Sequence, residues 1–263
     1  AKLLRSGHAP TALGYSWMME NCSLEEAKQI FMTYAAAGIE TLVVRGDAHF
    51  PYRALYEVRE RFRRIIFVMF YSGEMEFEGS PKILFNMTMA GKLAAEYVLH
   101  CGFRRLVFLT QEPAVEELRR KHGITRTLFD LEMLDGLEAA CRENGIQFGD
   151  QGRVIARNIP YFEHETEVRT RIEEALEAGC NGFVCMNDSR ALLIYRIAAE
   201  RGLKIGRDIG IVGNFNTPIG EALYPRLTSV DLNLRMLTEN VMDAISGNGT
   251  KTVYIEPKLI KRR

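Results

Sequence analysis

Residues 182–212, GFVCMNDSRALLIYRIAAERGLKIGRDIGIV, contain the pattern that decides the fold. Gly182–Cys185 is apolar at successive positions, which indicates a strand covered on both faces, as in a parallel sheet. A helical stretch, Arg190–Arg201, follows this run. Gly202 ends the stretch, because glycine readily adopts the left-handed conformation found after a helix. Ile209–Val212 then predicts a second strand, so the order of elements predicts parallel strands joined by a crossover helix.

The same alternation extends over the rest of the chain, and Ser23 with Glu26 forms a capping-box pattern before its first predicted helix. The other predicted strands are Leu13–Trp17, Thr41–Val44, Ile65–Tyr71, Ile83–Phe85 and Leu106–Thr110. The other predicted helices are Leu24–Ala37, Tyr52–Arg63, Ala90–Cys101, Leu131–Asn144, Glu165–Ala178 and Leu234–Ser246. This pattern predicts an α/β protein with doubly wound parallel sheets, which bind ligands at the carboxyl ends of their strands.

The composition excludes several classes of protein. Of the 263 residues, 47% are apolar and 26% are charged, which is the balance of a globular chain rather than a disordered one. Basic and acidic residues both number 34, and a formal net charge of zero argues that this chain does not grip nucleic acid by itself. Its apolar runs are far shorter than the roughly 18–20 residues that span a bilayer. The five cysteines form no C-x-x-C pair, which predicts free thiols in a reducing cytoplasm.

No motif in the sequence indicates catalysis or metal binding. The chain has no Gly-rich phosphate loop, no G-x-S-x-G elbow and no H-E-x-x-H pair. No two of the five histidines lie four residues apart, so no metal site is predicted. The basic run Arg59–Arg64 is interleaved with glutamate, which predicts a solvated helix face. We therefore expect no enzyme, no metal and no cofactor. An enzyme with a doubly wound fold stays open as an alternative, because catalytic residues can be far apart in sequence.

Several dispersed motifs follow one another along the chain in a fixed order. They are the segment Ala90–Arg105, the helix from Asp135-Gly136-Leu137 to Asn144-Gly145-Ile146, the strand end Cys185-Met186-Asn187-Asp188, Arg201-Gly202-Leu203 with Asp208 to Gly213, Pro225–Val230 and the tail Glu256–Arg262. Together they resemble the effector-binding domain of LacI/GalR-type transcription regulators, which has the periplasmic binding protein-like type I fold. The resemblance covers nearly the whole chain.

The resemblance implies two Rossmann-like lobes joined by three crossings, with the ligand in the cleft between them. We expect an N-terminal lobe of residues 8–86 and 232–249 and a C-terminal lobe of residues 87–231 and 250–263. Residues 1–7 are similar to a hinge-helix remnant, so a DNA-binding headpiece is expected upstream of this chain. Residues 18–22 stand where the family has a helix and a strand. Either this branch of the family has lost that unit, or a segment is missing from the chain. We favour the second interpretation, because loss of a central helix and strand would expose a sheet edge and core surface.

The predicted ligand-binding residues depart from those of sugar-binding members of the family. By resemblance they are Trp17, Phe70, Met133, Asn187, Phe215 and Asn216. Phe70, Met133 and Phe215 stand where those members have a carboxylate, an arginine and an aspartate. A ligand hydroxyl buried without a partner costs about 1–3 kcal/mol, so these exchanges predict a flatter or more apolar ligand, or a sugar held chiefly by stacking. The alternatives are that the side chains only fill the cleft, and that Asn187 only caps a helix.

The implied function is ligand sensing and dimerisation in a cytoplasmic LacI-type regulator. A small effector, either a sugar or a more apolar or aromatic metabolite, would alter operator-DNA binding by the upstream headpiece. The resemblance implies a homodimer with contacts around Tyr52–Arg63 and after Ala90, and no membrane partner. The alternative is an exported solute-binding protein of a transporter, which shares the fold but would need a signal peptide.

Overall fold

The computed structural model describes residues 23–46, 50–71, 75–110, 129–146, 153–155, 165–249 and 251–262. The predicted strand Leu13–Trp17, residues 1–7 and residues 18–22 lie outside these ranges. The chain divides into two compact units. The first contains the described residues up to Phe85 and those from Leu234 to Ile255, and the second contains those from Asn86 to Asn233 and from Glu256 onward.

The described elements are numbered in chain order. The strands are β1 (Thr41–Gly46), β2 (Arg64–Tyr71), β3 (Lys82–Phe85), β4 (Leu106–Thr110), β5 (Arg153–Ile155), β6 (Gly182–Cys185), β7 (Gly210–Asn214), β8 (Thr228–Asp231), β9 (Thr252–Ile255) and β10 (Lys258–Ile260). The α-helices are α1 (Leu24–Ala36), α2 (Tyr52–Val58), α3 (Met87–His100), α4 (Phe129–Glu143), α5 (Glu165–Glu177), α6 (Asp188–Glu200), α7 (Ile219–Ala222) and α8 (Leu234–Ser246).

The first unit is built on a parallel sheet with the strand order β1-β2-β3-β9. Apolar residues of α1 and α2 form one core cluster with β1 and β2. Helix α8 packs against β2 and β3. The Arg64 guanidinium donates to the carbonyls of Ala244 (2.8 Å) and Ile245 at the end of α8. Arg64 therefore does not belong to the solvated basic face that the sequence predicted, because its guanidinium binds carbonyls in the last turn of helix α8.

The second unit is built on a sheet with the strand order β10-β8-β7-β6-β4-β5. Strand β10 pairs antiparallel with β8, and the other neighbours are parallel. Helices α5 and α6 share a core cluster with β4, β6 and β7. Helices α3 and α4 cross at glycines: a Cβ on Gly136 would lie 1.8 Å from the Thr88 carbonyl oxygen, and one on Gly91 would lie 1.9 Å from that of Met133. The two helix backbones therefore touch, which fixes the position of α4 against α3.

The predicted α/β class with mostly parallel sheets is confirmed, and the predicted helices and strands in the described ranges agree closely with the observed ones. The capping box is confirmed as well, because Ser23 Oγ accepts from the Glu26 amide (3.3 Å) and the Glu26 carboxylate accepts from the Ser23 amide (2.8 Å). The predicted helix Tyr52–Arg63 is shorter: it ends at Val58 and continues as a 3₁₀ turn over Arg59–Arg61.

The third crossing lies later in the chain than the resemblance implied. Residues after 249 were expected in the C-terminal lobe, but β9 pairs with β3 in the first sheet, with Thr252 opposite Lys82 and Ile255 opposite Phe85. The division between the units falls after Ile255. The glycine-rich turn at Gly247 and Gly249 ends α8 and leads into this strand. These glycines therefore mark the end of a helix, and the boundary between the two units lies further along the chain.

Within the described ranges, no helix is both long enough and apolar enough to cross a membrane.

Candidate ligand-binding site

Left-handed backbone conformations mark the strand ends where ligands are expected. Among the described residues, the non-glycine residues with positive φ are Met69 (69°), Phe215 (83°), Asn216 (48°) and Asn233 (59°). Met69 lies near the end of β2, the next two follow β7, and Asn233 follows β8. Such conformations cost about 1–3 kcal/mol each in non-glycine residues and persist where surrounding contacts enforce them, commonly at ligand sites and switch regions.

In the first unit, a β-bulge places Phe70 at the carboxyl end of β2. Arg45 pairs with Val68, but the next residue of β1, Gly46, pairs with Tyr71, so two residues of β2 are passed over. Bulges redirect side chains and are frequent beside functional sites. The Phe70 ring lies edge-on to Phe85 with centroids 5.8 Å apart, and the Arg45 guanidinium lies 5.4 Å from its centroid. Phe70 is thus a buried, firmly packed aromatic residue at this edge of the sheet.

In the second unit, Asn187 follows β6 and caps helix α6. Its Oδ1 accepts from the Arg190 amide (3.1 Å) and from Ser189 Oγ (2.7 Å). The alternative prediction that Asn187 is a helix N-cap is therefore confirmed, since its oxygen satisfies an amide at the start of the helix. A ligand-binding role for the same side chain stays a prediction.

Asp188 is a buried carboxylate that joins the carboxyl ends of three strands. Its Oδ1 accepts from Ser229 Oγ (2.6 Å) on β8, and its Oδ2 accepts from the amide (2.5 Å) and hydroxyl (2.8 Å) of Thr217, which follows β7. A Cβ on Gly213 would lie 2.0 Å from Asp188 Oδ1, so only glycine at this position of β7 admits the carboxylate. Sequence reasoning noted the Asn187-Asp188 pair as a motif but did not predict this role. The available signal was a charged residue three positions after a fully apolar strand.

The loop after β7 carries Phe215 and Asn216. The Phe215 amide donates to the Val230 carbonyl (2.8 Å), and its side chain is half-buried. The Asn216 Nδ2 donates to Asp231 Oδ2 (3.2 Å), while its Oδ1 accepts from the Arg262 guanidinium (2.5 Å). Both ends of the Asn216 amide are therefore engaged within the protein, so Asn216 is better suited to hold the loop than to bind a ligand directly.

Met133 is fully buried on α4, next to an unusual polar group. Its sulfur lies 3.7 Å from the side-chain nitrogen of Asn214, the last residue of β7. Asn214 is also fully buried, and its Oδ1 has no hydrogen-bond partner in the described part of the chain. A buried carbonyl without a partner costs about 1–3 kcal/mol. Sequence reasoning missed Asn214, although an asparagine at the end of an otherwise apolar strand was visible.

Burial raises the pKa of several described titratable groups in the second unit. Burial, with the nearby Asp135 carboxylate, raises the pKa of Glu132 on α4 to about 7. Burial also raises the pKa of the Cys141 thiol to about 11. It raises the pKa of the Cys185 thiol, at the end of β6, as well. Both thiols therefore stay protonated at neutral pH. The described cysteines are free, and no cluster of histidine, cysteine or acidic residues in the described part of the chain could hold a metal ion.

The structure thus distributes the predicted site residues as follows. Asn187, Phe215 and Asn216 lie at the carboxyl ends of neighbouring strands in the second unit, where Met133 packs beneath the end of β7. Phe70 lies at the corresponding edge of the first unit's sheet. Trp17 lies outside the described residues. The second unit therefore offers a loop with a half-buried aromatic side chain, supported by a buried network of hydrogen bonds.

Comparisons with known proteins agree with this architecture. A family model described as a periplasmic binding protein-like domain matches residues 95–263, more than half of the chain. The HTH-type transcriptional repressor PurR of Erwinia tasmaniensis is 24% identical over 261 residues, which cover 96% of this chain and 71% of that protein. PurR of Vibrio atlanticus is 26% identical over 172 residues, which cover 65% of this chain, and the aligned part spans only 46% of its length.

Solved structures show the same fold. A LacI family transcriptional regulator from Enterococcus faecium with bound ribose matches with a TM-score of 0.74 and 15% identity, covering 99% of this chain and 88% of that one. Transcription regulator CcpA of Lactococcus lactis matches with a TM-score of 0.73 and 18% identity, covering 99% of this chain and 89% of that one.

Proposed function

Because this chain belongs to the family of periplasmic binding protein-like domains, we propose that it is the ligand-sensing domain of a LacI-type transcription regulator. The alignment of 96% of the chain with a transcriptional repressor supports a regulator over the alternative, an exported solute-binding protein. The proposal includes a cytoplasmic location, a homodimer, and operator-DNA binding by a headpiece outside this chain.

The observation that carries ligand sensing is the strained loop after β7. Phe215 and Asn216 both have left-handed backbones, and a network of buried side chains holds them at the carboxyl end of a parallel strand. Ligands bind at this end of doubly wound sheets. A fold that maintains backbone strain at the expected ligand position is consistent with a site that is pre-organised for binding.

The chemistry of these positions favours a flat or apolar ligand over an ordinary sugar. Phe215 offers a half-buried aromatic side chain, and the amide of Asn216 is already hydrogen-bonded at both ends. Aromatic faces bind planar rings by stacking, whereas a pyranose needs several fixed hydrogen-bonding partners. The Enterococcus faecium relative contains ribose, so sugars are the natural competing class of ligand.

The proposed role is a binding equilibrium and not catalysis. A ligand that binds one state of the regulator better than another shifts the population toward that state, by no more than the difference in its two affinities. The raised thiol pKa values of Cys141 and Cys185 agree with this, because a protonated thiol is a poor nucleophile.

A thermal-shift screen tests the ligand class. The purified chain is heated with ribose, cellobiose, glucose 6-phosphate, adenosine or uridine. A ligand at about a hundred times its Kd stabilises the fold by roughly 2.7 kcal/mol, and at about 2–4 °C per kcal/mol the melting temperature rises by about 5–11 °C. We expect the aromatic compounds to give the shift and Phe215→Ala to abolish it, while Tyr254→Ala, which removes an exposed aromatic side chain of the first unit, leaves it unchanged.

Each outcome of the screen decides a part of the proposal. A shift with sugars alone would contradict the apolar site, and a shift that survives Phe215→Ala would remove this residue from it. If no compound stabilises the chain, the proposal of a small-molecule sensor for these ligand classes fails. Light scattering at micromolar concentration tests the homodimer separately, since a monomeric mass would contradict it.

A further inference from the structure

The C-terminal tail, the loop after β7 and the end of β8 are joined by one chain of side-chain hydrogen bonds. Arg262 binds Asn216, Asn216 binds Asp231, and Asp231 binds the backbone of Asn233. Arg262 lies 46 positions after Asn216 in the sequence and is not one of the predicted ligand-binding residues.

Arg262 fixes the tail to this loop at several points. Its side chain is only 9% exposed, and the guanidinium donates to the Leu227 carbonyl (2.7 Å) and to Asn216 Oδ1 (2.5 Å) and lies 3.5 Å from Glu221 Oε1. The Arg262 amide donates to Thr228 Oγ1 (3.0 Å). An arginine held through two guanidinium nitrogens and its own backbone is a rigid support, because its side chain has little freedom left to follow a moving loop.

Asp231 connects the same loop to the point where the chain leaves the second unit. Its Oδ2 accepts from Asn216 Nδ2 (3.2 Å), and its Oδ1 accepts from the Asn233 amide (2.7 Å). Asn233 is the last residue of this unit before α8, and its φ of 59° is left-handed. One carboxylate therefore holds two strained backbone segments, one at the predicted ligand position and one at the exit from the unit.

We propose that Arg262 and Asp231 are positioning residues that act through Asn216: they hold Phe215 in its ligand-binding conformation and couple it to the exit segment 231–233. This inference rests on the proposed function, since it assumes that the effector contacts Phe215. Residues with positive φ relax when their supporting contacts are removed, so loss of either hydrogen bond to the Asn216 amide displaces the loop. Ligand binding and the conformation of the exit segment are then linked reciprocally.

Exchanging the two polar groups tests the proposal. Asn216→Asp keeps an acceptor for Arg262 but replaces the Nδ2 donor by a carboxylate oxygen that faces the Asp231 carboxylate and repels it. Asp231→Asn removes the charge that accepts from Asn216. In the double variant N216D/D231N, the side-chain amide at position 231 donates to the carboxylate at position 216. That carboxylate also keeps an acceptor for Arg262. Arg207→Gln, which breaks an exposed ion pair with Asp208 in the same unit, is the matched control.

The readouts are affinity and melting temperature. Titration calorimetry at 20 °C, well below unfolding, uses whichever of ribose, cellobiose, glucose 6-phosphate, adenosine and uridine stabilises the wild-type chain. We expect about a tenfold loss of affinity for N216D and a smaller loss for D231N, since charges in close contact change affinity strongly. In the double variant we expect affinity to recover to within about threefold of wild type, because the two substitutions compensate each other. R207Q keeps wild-type affinity.

The possible failures are distinguishable. If the single variants melt at lower temperature but bind at 20 °C as wild type does, the network is only structural and the inference is overturned. A double variant that binds no better than N216D also overturns it. If the wild-type chain binds none of the five probes, the proposed function fails, and this inference fails with it.

Discussion

Replacing Asp188 by alanine tests the buried network that joins three strand ends. The carboxylate accepts hydrogen bonds from Ser229 Oγ and from the amide and hydroxyl of Thr217. Asp188→Ala leaves all three donors without their acceptor. Asp188→Asn keeps one oxygen for Thr217 and turns an NH₂ group toward Ser229 Oγ, which can accept a hydrogen bond as well as donate one.

The expected magnitude follows from the burial of each donor. A buried donor left without a partner costs about 1–3 kcal/mol. Ser229 is fully buried and bears the whole cost, whereas Thr217 is partly exposed and regains part of it from water. Loss of an acidic residue from the first turn of α6 adds about 0.3–1 kcal/mol. We expect D188A to lower the free energy of unfolding by about 3–5 kcal/mol and D188N by about 1–2 kcal/mol.

Urea unfolding followed by far-ultraviolet circular dichroism measures these differences. The control is Asp208→Asn in the same unit, where the carboxylate is bound to Arg207 and to the Lys204 amide near the surface. Surface pairs of this kind contribute about 0–1 kcal/mol, so D208N is expected to unfold almost as wild type does. The reasoning is refuted if D188A lies within 1 kcal/mol of D208N, or if D188N is as destabilising as D188A.

Three further substitutions test other features of the described units. Gly136→Ala drives a Cβ to 1.8 Å from the Thr88 carbonyl and should cost about 3 kcal/mol or more in thermal unfolding, while Gly102→Ala, at φ +90° with nothing within 4 Å, should cost only about 1–2 kcal/mol; equal losses would contradict this. Burial and a neighbouring aspartate raise the pKa of Glu132 from 4.5 to about 7, so its ionisation disfavours the folded state as pH rises between these values. Glu132→Gln should therefore raise the urea midpoint at pH 8, equivalent to about 1–3 kcal/mol, but hardly at pH 4, and an equal gain at both pH values would exclude this cause. Asn214→Leu removes a buried carbonyl that has no partner among the described residues, so stability should stay equal or rise by about 1–2 kcal/mol, and a clear loss in the same urea assay would reveal a partner for it.

Local sequence patterns were sufficient to predict most of the helices and strands, but not the short strands β5, β9 and β10. Apolar runs of four to eight residues, helix caps and glycines after helices depend on neighbours within a few positions, so they can be read directly from the chain. The capping box at Ser23 and the positive φ of Gly38, Gly102 and Gly202 illustrate this. Alternation of these elements predicts the α/β class, because few topologies connect them.

The candidate site was predictable only in part. Asn187 and Phe215 could be placed at strand ends by their position in the sequence, and the N-cap role of Asn187 followed from its residue type. Phe70 could be placed on β2, but the bulge that redirects it depends on pairing with β1, which local patterns do not encode. The packing of Met133 against Asn214 depends in the same way on how α4 crosses α3.

The sequence by itself determined most of the helices and strands, the fold class and the family resemblance, since each of these depends on residue order and short-range periodicity. Only the tertiary structure decided which polar groups meet: Asp188 with Ser229 across 41 positions, and Asn216 with Arg262 across 46. It also decided that β9 belongs to the first sheet. The physical reason is that a hydrogen bond or a strand pair between distant residues is selected by the packing of whole elements, and the chain between the partners carries no local signal of it.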